Sequence, residues 1–362
     1  MKVLFLGLHR SRKSGVAKVQ IELSSALKNE GIIVDEISTQ TIPGHEFTKN
    51  NEEILHFESL DNFLNYVENK KPYDVLHSHS WAWSPKEMPE DGLEKVKNRF
   101  SNAKVIHTLH GLIPKEHEAQ RSILKFVDTA TVLTYSAKKS FSQIFDGLNY
   151  KPEVKVIPNI IKTVEVDDEL VKFTKSKIAQ KNEKIILYVG RLEEDKGVIE
   201  LSYAFKDVSS RYKNIKLLVV GSSKTDYKEK MKDILQGTNY QFTGWVSEHD
   251  VSLYQKISDI QMLPSKFEGF PLAPAKGLLN GCVIAVSDIP ALREIYHLNN
   301  LSPFAIKISP AASIDGIINS LEEFLKNPES FREMVKRGQK EIKELYSPDK
   351  IAKKYIEAYS KS

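Results

Sequence analysis

Short apolar runs, each followed by an amphipathic stretch, recur along the whole chain, and this alternation leaves few folds open. Residues 2–7 read as a buried strand. Residues 16–30 read as a helix, with Val16, Val19, Leu23, Ala26 and Leu27 on one stripe. Gly31 closes that helix as a C-cap, and residues 32–37 form the next strand. Further strands are expected at 74–77, 105–109 and 131–134. The pattern then restarts: a strand at 184–189, a helix at 197–211, and strands at 216–220, 260–263, 283–286 and 305–308. Strands separated by helices imply parallel sheets with right-handed crossovers.

A chain of 362 residues is long for one core, at roughly 100–200 residues per domain. Two doubly wound domains are therefore expected, at about 1–160 and 161–345, with the polar segment 159–184 at their junction. Residues 346–362 read as a last helix, set off by Ser347–Pro348, that packs back on the first domain.

The formal net charge of +4 is too small to argue for nucleic acid as a partner. One cysteine, Cys282, excludes an internal disulfide and a thiolate metal cluster, and it suits the cytoplasm. The apolar run at the N-terminus is followed, not preceded, by basic residues, so it reads as a first strand rather than a signal peptide. No stretch approaches the ~18 apolar residues of a membrane span. Basic clusters at 10–13 and 95–99 leave peripheral contact with anionic lipid at the inner face of the membrane open.

In parallel α/β sheets, ligands bind beyond the C-terminal ends of the strands, so the loops there matter most. The loop 8–15, LHRSRKSG, ends on Gly15 before a helix and carries Arg10, Arg12 and Lys13; it is an anion site or simply a solvated turn. There is no GxGxxG and no GxxxxGK[ST], which argues against dinucleotide redox chemistry and P-loop hydrolysis. In LYVGRLEEDKG (187–197), a strand ends at Gly190, and Arg191 and Lys196 offer a planar fork and a mobile point charge. Alone, such a loop is usually solvated. In the stretch 263–295, Glu268 precedes a helix, where it is a sugar-binding acid or a capping acid. His77, His79 and His107 read as core histidines, and Ser136 as a helix cap.

Taken in order, these stretches resemble the retaining glycosyltransferases of family 4 (glycosyl transferases group 1). VKVIPNI (154–160) looks like the family's linker segment V-x-V-I-P-N-G, and YVGRLEEDKG like its Y-V-G-R-L-x-x-x-K-G. LPSKFEGF looks like P-S-x-x-E-G-F, and VIAVSDIPALREI like V-I-A-S-D-x-x-x-x-x-E-I. In the first half, SGVAKVQIELSSAL, DVLHSHSW and VIHTLHGL match the helix after the family's glycine pair and the strands ending in His79 and His110.

The resemblance implies the GT-B fold, an α/β architecture of two Rossmann-like doubly wound domains facing a central cleft. The first would bind the acceptor and the second the nucleotide-sugar donor. It implies an enzyme that moves a sugar from a nucleotide-diphosphate sugar to a glycan, lipid-linked or other hydroxyl acceptor with retention. Synthesis of bacterial cell-surface polysaccharide or glycoconjugate is the implied setting. Arg191 and Lys196 would grip the diphosphate and stabilise its charge as the glycosidic bond breaks. Glu268 would hold hydroxyls of the donor sugar and His110 would contact it near the reaction centre; a local backbone partner for His110 is the plainer reading. Gly15, Gly190, Gly269, Phe270, Leu272 and Lys276 would line the nucleotide site. No D-x-D pair occurs, so neither a metal nor another cofactor is expected. Trp81 and Trp83 would stack on an acceptor sugar, meet a lipid interface, or pack against neighbouring loops.

Three positions depart from the family. Ser14 replaces the first glycine, Ile160 follows Pro-Asn in place of glycine, and Pro271 removes a backbone N–H beside the phosphate. More serious is Lys276, where the resemblance implies a second glutamate that binds the nucleotide ribose. An ammonium only donates, so a pocket that has lost the ribose diol, a 2′-deoxy donor, or a lysine turned to solvent is expected. Each implies discrimination at the 2′ position below about tenfold. Other readings of the chain are a catalytically silent GT-B module that binds glycan or a partner enzyme, and a nucleotide-sugar epimerase.

Overall fold

The computed structural model describes residues 1–7, 15–38, 54–56, 65, 72–79, 92–112, 117–148 and 151–360. Arg10, Arg12, Lys13, Ser14, Trp81 and Trp83 lie outside the described residues. The chain divides into two compact units, one of Met1–Ile160 with Tyr346–Ser362 and the other of Ile161–Leu345.

The first unit is a seven-stranded sheet. Its elements run β1 (Lys2–Gly7), α1 (Gly15–Asn29), β2 (Ile33–Ser38), β3 (Ile54–His56), β4 (Val75–Ser78), α2 (Gly92–Arg99), β5 (Lys104–Leu109), α3 (His117–Leu124), β6 (Thr129–Val132), α4 (Tyr135–Ile144) and β7 (Glu153–Val156). The strand order is β3-β2-β1-β4-β5-β6-β7, and every pairing is parallel. The chain thus winds outward from β1, then returns to its other side, and the order reverses between β1 and β4. Strands β4 and β6 are buried along their length, as strands covered by helices on both faces must be.

The second unit opens with α5 (Asp168–Ile178) and continues β8 (Lys184–Val189), α6 (Val198–Arg211), β9 (Ile215–Val220), α7 (Tyr227–Leu235), β10 (Tyr240–Gly244) and α8 (Glu248–Ile257). It then runs β11 (Ile260–Leu263), α9 (Leu272–Leu279), β12 (Val283–Ser287), α10 (Pro290–Ile295), β13 (Ile306–Ile308), α11 (Ile314–Lys326) and α12 (Arg332–Leu345). The six strands lie in the order β10-β9-β8-β11-β12-β13, again all parallel, with the reversal between β8 and β11.

Helix α13 (Pro348–Tyr359) belongs to the first unit. Its Ile351, Ala352, Tyr355, Ala358 and Tyr359 join a core with Val3, Phe5, Leu23, Leu27, Val75 and Ile106. Pro348 at its first turn cannot continue α12, because its ring removes an N–H donor. The helix also completes a buried polar network. Tyr359 Oη lies 2.7 Å from His77 Nδ1, and His77 Nε2 lies 2.8 Å from Thr108 Oγ1. Thr108 Oγ1 in turn meets Thr131 Oγ1 at 2.7 Å and Tyr355 Oη at 3.2 Å.

The structure differs from two sequence expectations. Residues 154–160, expected as linker, begin in strand β7, whose partly exposed positions leave no apolar run to see. Helix α4 is capped by Thr134, not Ser136. Thr134 is extended, and its Oγ1 accepts from the Ala137 amide at 3.1 Å, while Ser136 lies inside the helix.

Tyr359→Phe leaves a buried ring nitrogen of His77 without its partner. We expect a loss of about 1–3 kcal/mol of stability in urea unfolding. A stability equal to that of the native chain would show that the network is not holding α13.

Candidate functional site

In the second unit, two loops meet where the strand order reverses. One follows β8 and the other follows β11. Their backbones are tied by the Lys266 amide, which donates to the Asp195 carbonyl at 2.8 Å. Gly197 makes that approach possible. Its φ of 65° is left-handed, and a Cβ there would stand 2.0 Å from the Pro264 carbonyl oxygen.

The contact brings Lys196 and Glu268 together. Lys196 Nζ lies 3.0 Å from Glu268 Oε1 and 3.2 Å from Asp195 Oδ2. Ser265 Oγ donates to the same Glu268 oxygen at 2.8 Å. The Lys196 and Glu268 side chains are only 13% and 12% exposed, so each charge depends on the other. Arg191 stands apart, 62% exposed, paired with Glu193 and 3.9 Å from Asp195. Gly190 ends β8, where the Tyr188 hydroxyl donates to the Arg191 carbonyl at 2.6 Å and braces the turn. The result is one held cation, one exposed guanidinium and one held carboxylate at a single sheet edge.

Gly269, the buried Phe270 and Pro271 lead into α9, which starts at Leu272. A helix start presents unbonded amides to an anion, but Pro271 and Pro274 each lack one. Fewer donors remain there than in an ordinary first turn, so Lys196 and Arg191 carry more of any anion's charge.

Lys276 is not turned to solvent, and that expectation is corrected. Its side chain is 5% exposed, and its ammonium lies 2.6 Å from Glu248 Oε1, on α8. The reason is position: Lys276 lies within the buried stretch Pro274–Leu278 of α9, and a charge left there needs a partner. Nothing in the sequence links residues 28 positions apart on different helices.

In the first unit, histidines gather at the strand ends. His79 Nδ1 lies 3.3 Å from His110 Nε2, and the two rings are stacked. The partner seen for His110 among the described residues is a second histidine, from the next strand. The His77 and His79 rings lie with centroids 4.1 Å apart, tilted by 31°. Burial, and then the neighbouring histidines, hold His77 and His79 well below the usual imidazole range. Burial lowers His107 to about 4, against a hydrogen bond to the Ser78 backbone that favours its charged form. Burial and His107 lower His110 to about 3. All four rings are neutral near pH 7. Gly15 is the exposed first residue of α1 and needs no glycine for packing, since a Cβ there would meet no atom within 4 Å. Among the described residues, no group of three or more His, Cys, Asp or Glu side chains is arranged to hold a metal ion.

With this geometry in view, residues 171–341 match the family model described as glycosyl transferases group 1. An uncharacterized glycosyltransferase of Methanocaldococcus jannaschii is 28% identical over 312 residues, covering 79% of this chain and 75% of that protein. The capsular polysaccharide biosynthesis glycosyltransferase CapH of Staphylococcus aureus is 24% identical over 283 residues, covering 76% of this chain and 78% of CapH. Among solved structures, sucrose-phosphate synthase of Thermosynechococcus elongatus superimposes with a TM-score of 0.78 at 18% identity, covering 99% of this chain and 98% of that one. HepE of Anabaena, in complex with UDP-glucose, gives 0.75 at 13% identity, with 99% of each chain covered. The structural likenesses show the GT-B fold. The family match and the relatives support a glycosyltransferase of group 1.

The histidine cluster has a consequence for pH. Unfolded, these rings take up protons near pH 6.5; folded, His107 resists until about pH 4 and His110 until about pH 3, and burial holds His77 and His79 well below the usual range as well. Their contribution is therefore complete above 6.5 and is lost as pH falls. We expect the urea midpoint to drop between about pH 7 and pH 5, above the range in which carboxylates titrate. A midpoint constant across that window would contradict neutral buried rings.

Proposed function

We propose that the chain is a retaining glycosyltransferase of family 4 that moves a sugar from a nucleotide-diphosphate sugar to a hydroxyl acceptor. The observation that carries this reading is the Lys196–Glu268 pair at the β8–β11 reversal, 3.0 Å apart and largely buried. A cation and a carboxylate held at one sheet edge suit a ligand that presents a diphosphate and sugar hydroxyls side by side.

In the proposed reaction, the bond between the anomeric carbon and the diphosphate oxygen breaks first. Negative charge builds on the diphosphate, and Lys196 and the exposed Arg191 stabilise it there more than in the ground state. Glu268 accepts hydrogen bonds from hydroxyls of the donor sugar, held in place by Ser265 and Lys196. The acceptor hydroxyl then attacks the anomeric carbon from the same face and gives its proton to the departing diphosphate oxygen. His110 touching the donor sugar and Gly15 amides approaching the diphosphate complete the reading. The proposed step uses neither a metal nor a redox cofactor, because the two basic side chains supply the positive charge.

The wider setting is part of the same proposal. CapH carries capsular polysaccharide biosynthesis in its name, and HepE was crystallised with UDP-glucose. The name of CapH favours cell-surface glycan synthesis and the ligand of HepE a nucleotide-sugar donor, and the proposed place of the reaction is the cytoplasm or the inner face of the membrane. Among the described residues no helix is long and apolar enough to cross a membrane. A catalytically silent module would leave the held Lys196–Glu268 pair without a use.

Arg191→Ala and Lys196→Ala should each slow turnover of the donor that the native chain accepts by a factor of about 100 or more. Initial rates of nucleoside diphosphate release measure this. Rates equal to the native enzyme in both variants would end the proposed mechanism.

A further inference from the structure

We infer that Glu248, held in place by Lys276, is the side chain that reads the ribose hydroxyls of the donor nucleotide. This rests on the nucleotide-sugar reading above and adds the residue that selects ribose over 2′-deoxyribose.

The first argument is placement. Helix α8 crosses one face of the sheet on its way from β10 to β11 and packs on β8. Helix α9 packs on β11, on β12 and on α8. The ion pair between Glu248 and Lys276 joins these two helices on the face that flanks the β8–β11 reversal. Glu248 is the first residue of α8, immediately beyond the loop that follows β10, and so stands toward the C-terminal edge of the sheet. Neighbouring strands are about 4.8 Å apart, so a ligand anchored beyond β8 reaches this region with a short extension such as a ribose.

The second argument is asymmetry within the pair. The Lys276 side chain is 5% exposed and that of Glu248 is 29% exposed. The buried ammonium therefore acts as a post, and the acid is the member that faces outward. A carboxylate can accept hydrogen bonds from both hydroxyls of a diol, which an ammonium cannot do. In Rossmann-like folds an acidic residue beyond a strand end serves ribose hydroxyls in this way. The lysine also cancels the charge that would otherwise repel a diphosphate nearby.

The third argument is that Glu248 is the acid that stands beside position 276, whereas other acids at this edge pair with cations of the neighbouring loops. Glu193 pairs with Arg191, Asp195 and Glu268 with Lys196, and Asp288 with Arg293. Glu194 pairs with Lys266 beside Glu200 of α6, which follows β8 by a different crossover. A buried ion pair by itself contributes little stability beyond what apolar residues of the same size would, so a second use for this one is reasonable. The expectation of weak 2′ discrimination assumed that no acid stood near position 276, and Glu248 removes that assumption.

The test is calorimetric titration of the full chain with the common ribonucleoside diphosphates and their 2′-deoxy forms, with inorganic pyrophosphate as a control. The native chain should prefer the ribose form by more than about tenfold for the base it binds best. Glu248→Gln should cut that preference at least about fivefold without weakening pyrophosphate binding, and Lys276→Met should cut it while also weakening pyrophosphate, because it leaves the Glu248 charge uncancelled. Glu248→Asp keeps the ion pair and guards against misfolding. It should retain pyrophosphate binding and show an intermediate preference. A native preference below tenfold, or variants that keep the native preference, would overturn the ribose assignment and leave the transferase reading intact. A native chain that binds pyrophosphate but no nucleoside diphosphate would overturn both.

Discussion

Every strand of both sheets is parallel, so within each unit all the strands end on one edge, and the loops with free chemistry collect there. In the second unit the order reverses between β8 and β11, and the chain must leave these neighbours in opposite directions. That opens a notch, and the bond from the Lys266 amide to the Asp195 carbonyl closes its floor. Lys196 and Glu268 meet over it, Gly197 gives the backbone room, and the start of α9 stands beside them. The proposed chemistry follows from this one junction. Two charges that would be weak in water are held together in a partly dry setting, where a diphosphate and a sugar are bound by fixed groups rather than by groups that must be ordered on binding.

The first unit uses the same edge differently. Four histidines lie in or directly after its strands β4 and β5, and none of them has a carboxylate among the hydrogen-bond partners seen among the described residues. Burial keeps them neutral, and His77 is joined to a chain of hydroxyls, through Tyr359 and through Thr108, which meets Thr131 and Tyr355. The hydroxyls of Tyr359 and Thr108 each meet one ring nitrogen of His77, and because a hydroxyl both donates and accepts they hold the ring's orientation in either tautomer. The last helix of the chain therefore supports the strand ends from which His79 and His110 project.

Much of this was legible in the sequence because buried parallel strands are short apolar runs. Residues 2–7, 184–189 and 260–263 agree with β1, β8 and β11 residue for residue. The strands not foreseen are β3, β7 and β10, and all three lie at sheet edges. β7 and β10 are only partly buried, so they carry no apolar run to read. Arg191, Lys196 and Glu268 could be named from their motifs, but not that Lys196 is buried against Glu268 while Arg191 is exposed and paired with Glu193. The pairings of Lys276 with Glu248 and of His79 with His110 were hidden for another reason. Each joins residues from separate crossovers, and only the winding of the sheet brings them together.

The central claim is that the β8–β11 junction holds a nucleotide-diphosphate sugar by its diphosphate. Thermal and urea unfolding of the native chain across a panel of nucleotide sugars tests it most directly. One class of donor, saturating at about 100 times its dissociation constant, should add about 2.7 kcal/mol, and Lys196→Ala should abolish the gain. A panel in which no donor stabilises the chain, or a gain that survives Lys196→Ala undiminished, would contradict it.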